Sequence, residues 1–189
     1  MNYSLNLLFY SKNYAKINVM NELLSPAGTI ESFYAAISNG ADAIYLGLDK
    51  FSARAYATNF NIENLTTLVP FAHLRNVKIY VTINTIIYDD ELEDCFETID
   101  QLANIGVDAI IVQDLAILTY ISNKYKSLKA HVSTQVGIDD IDGTRLVLKL
   151  GATRVVYARE VSIDTLKNIT KDTTIDNSCI TNEFILISK

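Results

Sequence analysis

The chain has 189 residues, 49% apolar and 20% charged, and 16 Lys+Arg against 22 Asp+Glu give a formal charge of −6. That length supports one domain with a sizeable core and hardly two, and the composition excludes a disordered chain. No run of about 18 apolar residues is present, which argues against a spanning helix; the negative charge disfavours non-specific phosphate binding; and two cysteines with two histidines cannot build a disulfide framework, a four-thiolate metal site or a multi-histidine centre.

Residues 1–19 read as an N-terminal extension. The apolar stretch Leu5 to Tyr10 is broken by Asn6 and has no basic segment before it or small-residue cleavage site after it. A secretory signal is not expected there, and the cytoplasm is the expected compartment. Met20 stands just before the first strand signal, so both Met1 and Met20 fit as starts.

From Glu22 onward, β-like runs alternate with helical patterns. Glu22 to Ser25 is expected to be the first strand, ended by the turn residues Pro26-Ala27-Gly28. Ile30, Phe33, Tyr34 and Ile37 form a helical stripe, and Gly40 closes that helix. Ala43 to Leu46 is the second strand. A long connection, FSARAYATNF, leads to a helix near Ile62 to Arg75, where Pro70 should kink the helix or mark its true start. Lys78 to Asn84 has the β-branched and aromatic content of a buried strand. Asp90 and Glu93 have capping-box spacing before the stripe Leu92, Phe96, Ile99 and Leu102. Ala109 to Val112, Lys129 to Ser133 and Val155 to Ala158 are strands four to six. The helix carrying Ile163, Leu166 and Ile169 comes last.

This alternation specifies βαβ units and a parallel sheet. Three segments share one grammar: GADAIY from Gly40, GVDAII from Gly106 and GATRVV from Gly151. Each is a helix-ending glycine, a tight turn and a buried strand. The expected fold is α/β, a TIM-like (β/α) barrel that is incomplete, with about six βα units over residues 20–172. No G-x-G-x-x-G follows the first strand, which weakens a dinucleotide-binding reading. Six units leave open edges. Either Phe184 to Ile187 adds a seventh strand, or the barrel continues in further chain, or a partner closes it. Residues 173–189 read as a divergent tail, such as a shifted reading frame would produce.

In such folds the site lies where strands end. Those positions hold Asn84, Gln113, Asp114, Ser133, Thr134, Gln135, Arg159 and Glu160, with Arg54 on the long loop. Asn84, Ser133, Thr134, Gln135, Arg159 and Glu160 are the catalytic candidates; Arg54 and Asp114 are the substrate-binding candidates. Each has a structural alternative: helix capping for Asp114 and the Ser133 segment, an ion pair for Arg159 and Glu160, a solvated loop for Arg54. Either His131 or Val132 must face the lumen, Cys95 belongs to a core stripe, and His73 is a surface or interface residue. No triad order, H-E-x-x-H, Walker loop or nucleophile elbow is present.

The ordered motifs ELLSPAG, GADAIYLG, FSARAYATNF, KIYVTINT, GVDAIIVQD, HVSTQ and GATRVVYAREVS resemble the collagenase-like peptidase family of unknown catalytic type, over about residues 20–172. The resemblance implies a TIM-like barrel with its site at Arg54, Asn84, Ser133, Thr134, Gln135, Arg159 and Glu160. Members include collagenases and proteins of tRNA, rRNA or quinone-precursor hydroxylation. Some bind an iron–sulfur cluster through cysteines that follow a His-Gly motif; no His-Gly follows Lys171 here, and Cys179 is alone. The reading is therefore a peptidase-family barrel segment acting on peptide or RNA, with no cofactor of its own. The alternatives are a segment of an RNA or quinone-precursor hydroxylation protein, and a non-catalytic subunit whose open edge docks a partner or a second copy.

Overall fold

The computed structural model describes residues 22–53, 60–158, 160–172, 180–182 and 185–187. The N-terminal extension and Met20, Arg54, Arg159 and Cys179 lie outside the described residues. Six strands, β1 (Leu24–Ala27), β2 (Ala43–Gly47), β3 (Lys78–Ile83), β4 (Ala109–Val112), β5 (Lys129–Val132) and β6 (Arg154–Val155), form one sheet in sequence order. Every neighbouring pair is parallel. The helices α1 (Ile30–Ser38), α2 (Ile62–His73), α3 (Leu92–Ile105), α4 (Leu115–Lys124) and α5 (Ile141–Lys149) connect them, and α6 (Ile163–Asp172) follows β6. Sequential order in an all-parallel sheet is barrel topology, open between β1 and β6 among the described residues.

The repeated Gly-x-Asp grammar has a physical basis. Gly40, Gly106 and Gly151 take φ of 84°, 92° and 102°, the left-handed backbone that ends a helix before a tight turn. Asp42 Oδ2 then accepts the Leu23 N–H at 2.7 Å, and Asp108 Oδ2 accepts the Ile79 N–H at 2.8 Å. Each aspartate ties its turn to the preceding strand. Thr153 does the equivalent in the third copy, donating its hydroxyl to the Ala130 carbonyl at 3.1 Å.

Alternate strand residues divide between two faces. Ile44, Leu46, Ile79, Val81, Ile83, Ile110, Val112, Ala130 and Val132 join the helix-covered core with Phe33, Leu65, Cys95 and Ile117. Ala43, Tyr80, Ala109 and Ile111 form a second, smaller cluster on the lumen side, with Leu24 and Tyr45 against it. Val132 thus packs against the helices and His131 turns into the lumen.

Four sequence expectations are corrected. The first strand is Leu24–Ala27, not Glu22 to Ser25, because Glu22 is held by side chains across the lumen. Pro70 does not mark the start of α2: Asn61 caps the helix by accepting the Asn64 N–H at 2.8 Å. The helix runs through Pro70 because Thr66, whose carbonyl loses its donor, and Pro70 are both exposed, so water can replace the bond. Asp90 and Glu93 form no capping box. Asp89–Glu91 is a 3₁₀ turn, and Glu91 reaches back to accept the Tyr88 N–H at 3.0 Å. Finally, Ile185–Ile187 does not extend the barrel. It pairs antiparallel with Ile180–Asn182 in a separate two-stranded sheet. Such short, closely spaced strands close a hairpin locally, whereas a parallel seventh strand needs a crossover connection.

Candidate functional site

The rim at the strand C-termini gathers most of the described candidates, but many are engaged in holding the backbone. Asn84 follows β3; its N–H donates to the Phe51 carbonyl at 2.9 Å, and its Oδ1 accepts the Ala53 N–H at 3.1 Å. It anchors the loop that leads into Arg54. Ser52 meets Thr82 at 3.0 Å beneath that anchor. A Cβ at Gly47 would stand 2.4 Å from Ser52 Oγ, so only glycine lets the loop fold down onto the sheet. Asp114 caps α4, accepting the Ala116 and Ile117 N–H groups at 2.7 and 3.2 Å.

Ser133 is buried above His131 on the same strand face and accepts the Gln135 N–H at 3.3 Å. Thr134 and Gln135 stand exposed on the 3₁₀ turn that follows, and Glu160 is exposed after β6. Asn84, Ser133, Thr134, Gln135 and Glu160 thus share the rim. Among the described residues, no serine, threonine or cysteine side chain hydrogen-bonds a histidine or lysine side chain, so no nucleophile–base pair is formed there.

The rim is acidic. Asp89, Asp90, Glu91, Asp139, Asp140 and Glu160 occupy the described strand-to-helix loops. Lys50 is the one cation among the described residues of those loops, and it pairs with Asp94 at 2.7 Å.

At the opposite end of the lumen lies a network that sequence reasoning missed. Glu22 receives hydrogen bonds from Arg154 at 2.7 Å, Lys78 at 2.8 Å and the Tyr80 hydroxyl at 2.9 Å. It thereby joins the sheet's two edges, the start of β1 and β6, across the lumen. Burial alone would raise the Glu22 pKa; the hydrogen bonds from Arg154, Lys78 and Tyr80 outweigh it and hold the carboxyl at about 2. Tyr80 is pushed up by burial and by the Glu22 charge, against the opposing pull of Arg154. His131 packs edge-on against Tyr80, ring centroids 4.8 Å apart, and its pKa is lowered by burial and then by Arg154. The available signal was strand parity. Glu22, Lys78, Tyr80, His131 and Arg154 all fall on lumen-facing positions, and a buried carboxylate demands cationic partners.

Outside the lumen, His73 is exposed and pairs with Asp108 at 2.9 Å. Cys95 is fully buried in the helix-covered core, its thiol pushed up to about 12 by burial and by the charges of Asp114, Asp94 and Glu91. The described residues do not fit the iron–sulfur cluster that the resemblance attaches to some members. Their one cysteine is sealed among apolar side chains, and no group of three or more His, Cys, Asp or Glu among them is placed to hold a metal. No helix among the described residues is long and apolar enough to cross a membrane.

The chain is similar to several known proteins. It is 42% identical over 148 residues to the 23S rRNA 5-hydroxycytidine C2501 synthase of Escherichia coli, matching 78% of this chain and 22% of that protein. It is 35% identical over 159 residues to a collagenase of Porphyromonas gingivalis, covering 84% of this chain and 38% of the relative. A tRNA hydroxylation protein of Escherichia coli is 30% identical over 148 residues, 78% of this chain and 33% of its own. The chain therefore spans a minor part of the length of these relatives. A solved U32 peptidase shares the fold with a TM-score of 0.69, over 88% of this chain and 70% of that one at 14% identity. DHDPS from Cyanidioschyzon merolae shares it with a TM-score of 0.55, over 81% of this chain and 60% of that one at 13% identity. The model of peptidase family U32 matches residues 28–184, most of the chain, and the chain belongs to that family.

Proposed function

We propose that the chain forms the substrate-binding part of a peptidase barrel, with the rim of Asn84, Ser133, Thr134, Gln135 and Glu160, together with Arg54 and Arg159, receiving a polypeptide. The observation that carries this reading is the charge of the rim. Its described loops hold many carboxylates against one paired lysine, and with Arg54 and Arg159 added from the sequence the acidic residues of these loops still outnumber the basic ones. Such a field repels a phosphate backbone and tolerates a neutral or amine-bearing peptide. Asn84 and Asp114 act here as positioning residues, through the Ala53 loop and the start of α4. Hydrolysis then draws on groups beyond the described set, in line with a chain that covers 38% of the collagenase it matches. A cytoplasmic location belongs to the same proposal; the free Cys95 thiol is compatible with a reducing compartment.

The 42% identity to the rRNA hydroxycytidine synthase favours a second reading, RNA hydroxylation. One experiment separates the two. The intact protein is assayed for cleavage of gelatin, and it is also expressed in Escherichia coli lacking that synthase, with 23S rRNA examined by mass spectrometry. Gelatin cleavage that is lost in Asn84→Ala supports the peptidase reading. Restored addition of one oxygen atom to the rRNA, without cleavage, overturns it in favour of RNA.

A further inference from the structure

Between β3 and α3 the chain carries two large apolar side chains that the fold leaves in solvent. Ile86 is 64% and Tyr88 66% exposed, while Ile87 between them is buried in the helix-covered core. Ile87 pins the segment to the core, and the Glu91 carboxylate accepts the Tyr88 N–H at 3.0 Å just after it. The Tyr88 backbone is extended, with φ −84° and ψ 159°. Successive side chains of an extended backbone alternate, so Ile87 turns inward and its neighbours face out. Leu115 is exposed on the next loop. It lies three residues past Val112, and Ile86 lies three residues past Ile83, the residue that Val112 pairs with. All three side chains therefore stand on adjacent loops of the strand C-terminal rim. A lone exposed apolar residue is ordinary, but a group of them on the face where (β/α) barrels bind their ligands marks an interaction site.

The charge beside these side chains selects the occupant. Asp89 and Asp90 follow Tyr88 directly, both are exposed, and neither has a cationic partner among the described residues. A nucleic acid or an anionic membrane would bring negative charge against them. A polypeptide that carries apolar and cationic side chains together suits both features: its apolar groups cover Ile86, Tyr88 and Leu115, and its cation meets the two carboxylates. We propose that Ile86, Tyr88 and Leu115 form a docking surface for an extended polypeptide in which apolar residues flank a lysine or arginine, with Asp89 and Asp90 receiving the cation. This rests on the peptide reading of the same rim and names the class of polypeptide that the rim takes.

The test uses the intact ¹⁵N-labelled protein and three blocked Gly/Ser octapeptides with Leu-Lys-Leu, Leu-Glu-Leu or Ser-Lys-Ser at the centre. The Leu-Lys-Leu peptide should shift the backbone amides of Ile86, Tyr88 and Leu115 saturably. The Leu-Glu-Leu peptide should bind about threefold more weakly, as the exchange of an exposed ion pair for a like-charge contact requires. The Ser-Lys-Ser peptide should bind about tenfold more weakly, through the lost apolar burial. The double variant Ile86→Ser with Tyr88→Ser should lose about tenfold for Leu-Lys-Leu, and Asp89→Asn with Asp90→Asn should abolish the preference for Lys over Glu. Equal binding of the three peptides, shifts confined to other residues, or unchanged affinity in a folded Ile86→Ser/Tyr88→Ser protein overturns the proposal. An oligouridine that shifts the same amides more strongly than Leu-Lys-Leu overturns it in favour of RNA. The wild-type spectra decide alone if the double variant does not fold. Gelatin cleavage is scored separately: peptide docking without cleavage keeps the surface and rejects the peptidase reading, and cleavage without docking does the reverse.

Discussion

Glu22 shows how one carboxylate can matter to a whole sheet. Its folded-state pKa of about 2 lies below the ordinary 4.5, so the stability it contributes is present above pH 4.5 and is lost as pH falls toward 2. A shift of that size corresponds to about 3 kcal/mol. Urea unfolding at a series of pH values should show the loss across that window, and Glu22→Gln should flatten the curve there. The variant should also be less stable at neutral pH, because the carboxylate charge that Arg154, Lys78 and Tyr80 surround is removed. Equal stability of variant and wild type at pH 7 would remove the network from any structural role. Cys95 makes the opposite case of an inert group. In a Cys179→Ser background, a thiol reagent at pH 8 should modify Cys95 only at the rate of unfolding, since the thiol is buried and its pKa lies near 12. Rapid stoichiometric labelling of the native protein would contradict that placement.

At the scale of elements, the loop after β2 and the start of α4 depend on single contacts. Gly47→Ala places a methyl group against Ser52 and should lift the loop from the sheet. The readout is hydrogen exchange: the Asn84 and Ala53 amides, bonded to the Phe51 carbonyl and to Asn84 Oδ1, should exchange faster while β4 amides stay protected. Unchanged exchange would show that the loop is held elsewhere. Asp114→Ala should cost about 1 kcal/mol through loss of the α4 cap. If Asp114 also binds substrate, KM for a cleaved peptide will rise more than that loss of stability explains.

For the molecule as a whole, the decisive feature is the gap between β1 and β6. Among the described residues both strands are sheet edges, and the Glu22–Arg154 pair spans them at one end of the lumen. The 189-residue chain by itself should therefore associate with rising concentration in sedimentation equilibrium. A strictly monomeric chain at high concentration would show that these edges are protected within the chain.

Much of this was legible before folding. Apolar periodicity and the repeated glycine turns specified six strands, four of the six helices and the parallel order, because those signals are local: a helix stripe, a left-handed glycine, a β-branched run; α4 and α5 were implied only by the alternation. The rim positions were legible too, since parallel topology places them at strand ends. Tertiary structure decided the rest. Whether Asp114 caps a helix, or Asn84 holds a loop, depends on backbone groups that only the folded chain brings near. The Glu22–Arg154 pair joins residues 132 positions apart, and nothing in the local sequence of either announces the other. Phe184 to Ile187 carried the composition of a strand, but pairing is a property of two segments, and the described part, Ile185–Ile187, pairs with Ile180–Asn182 rather than with the barrel edge.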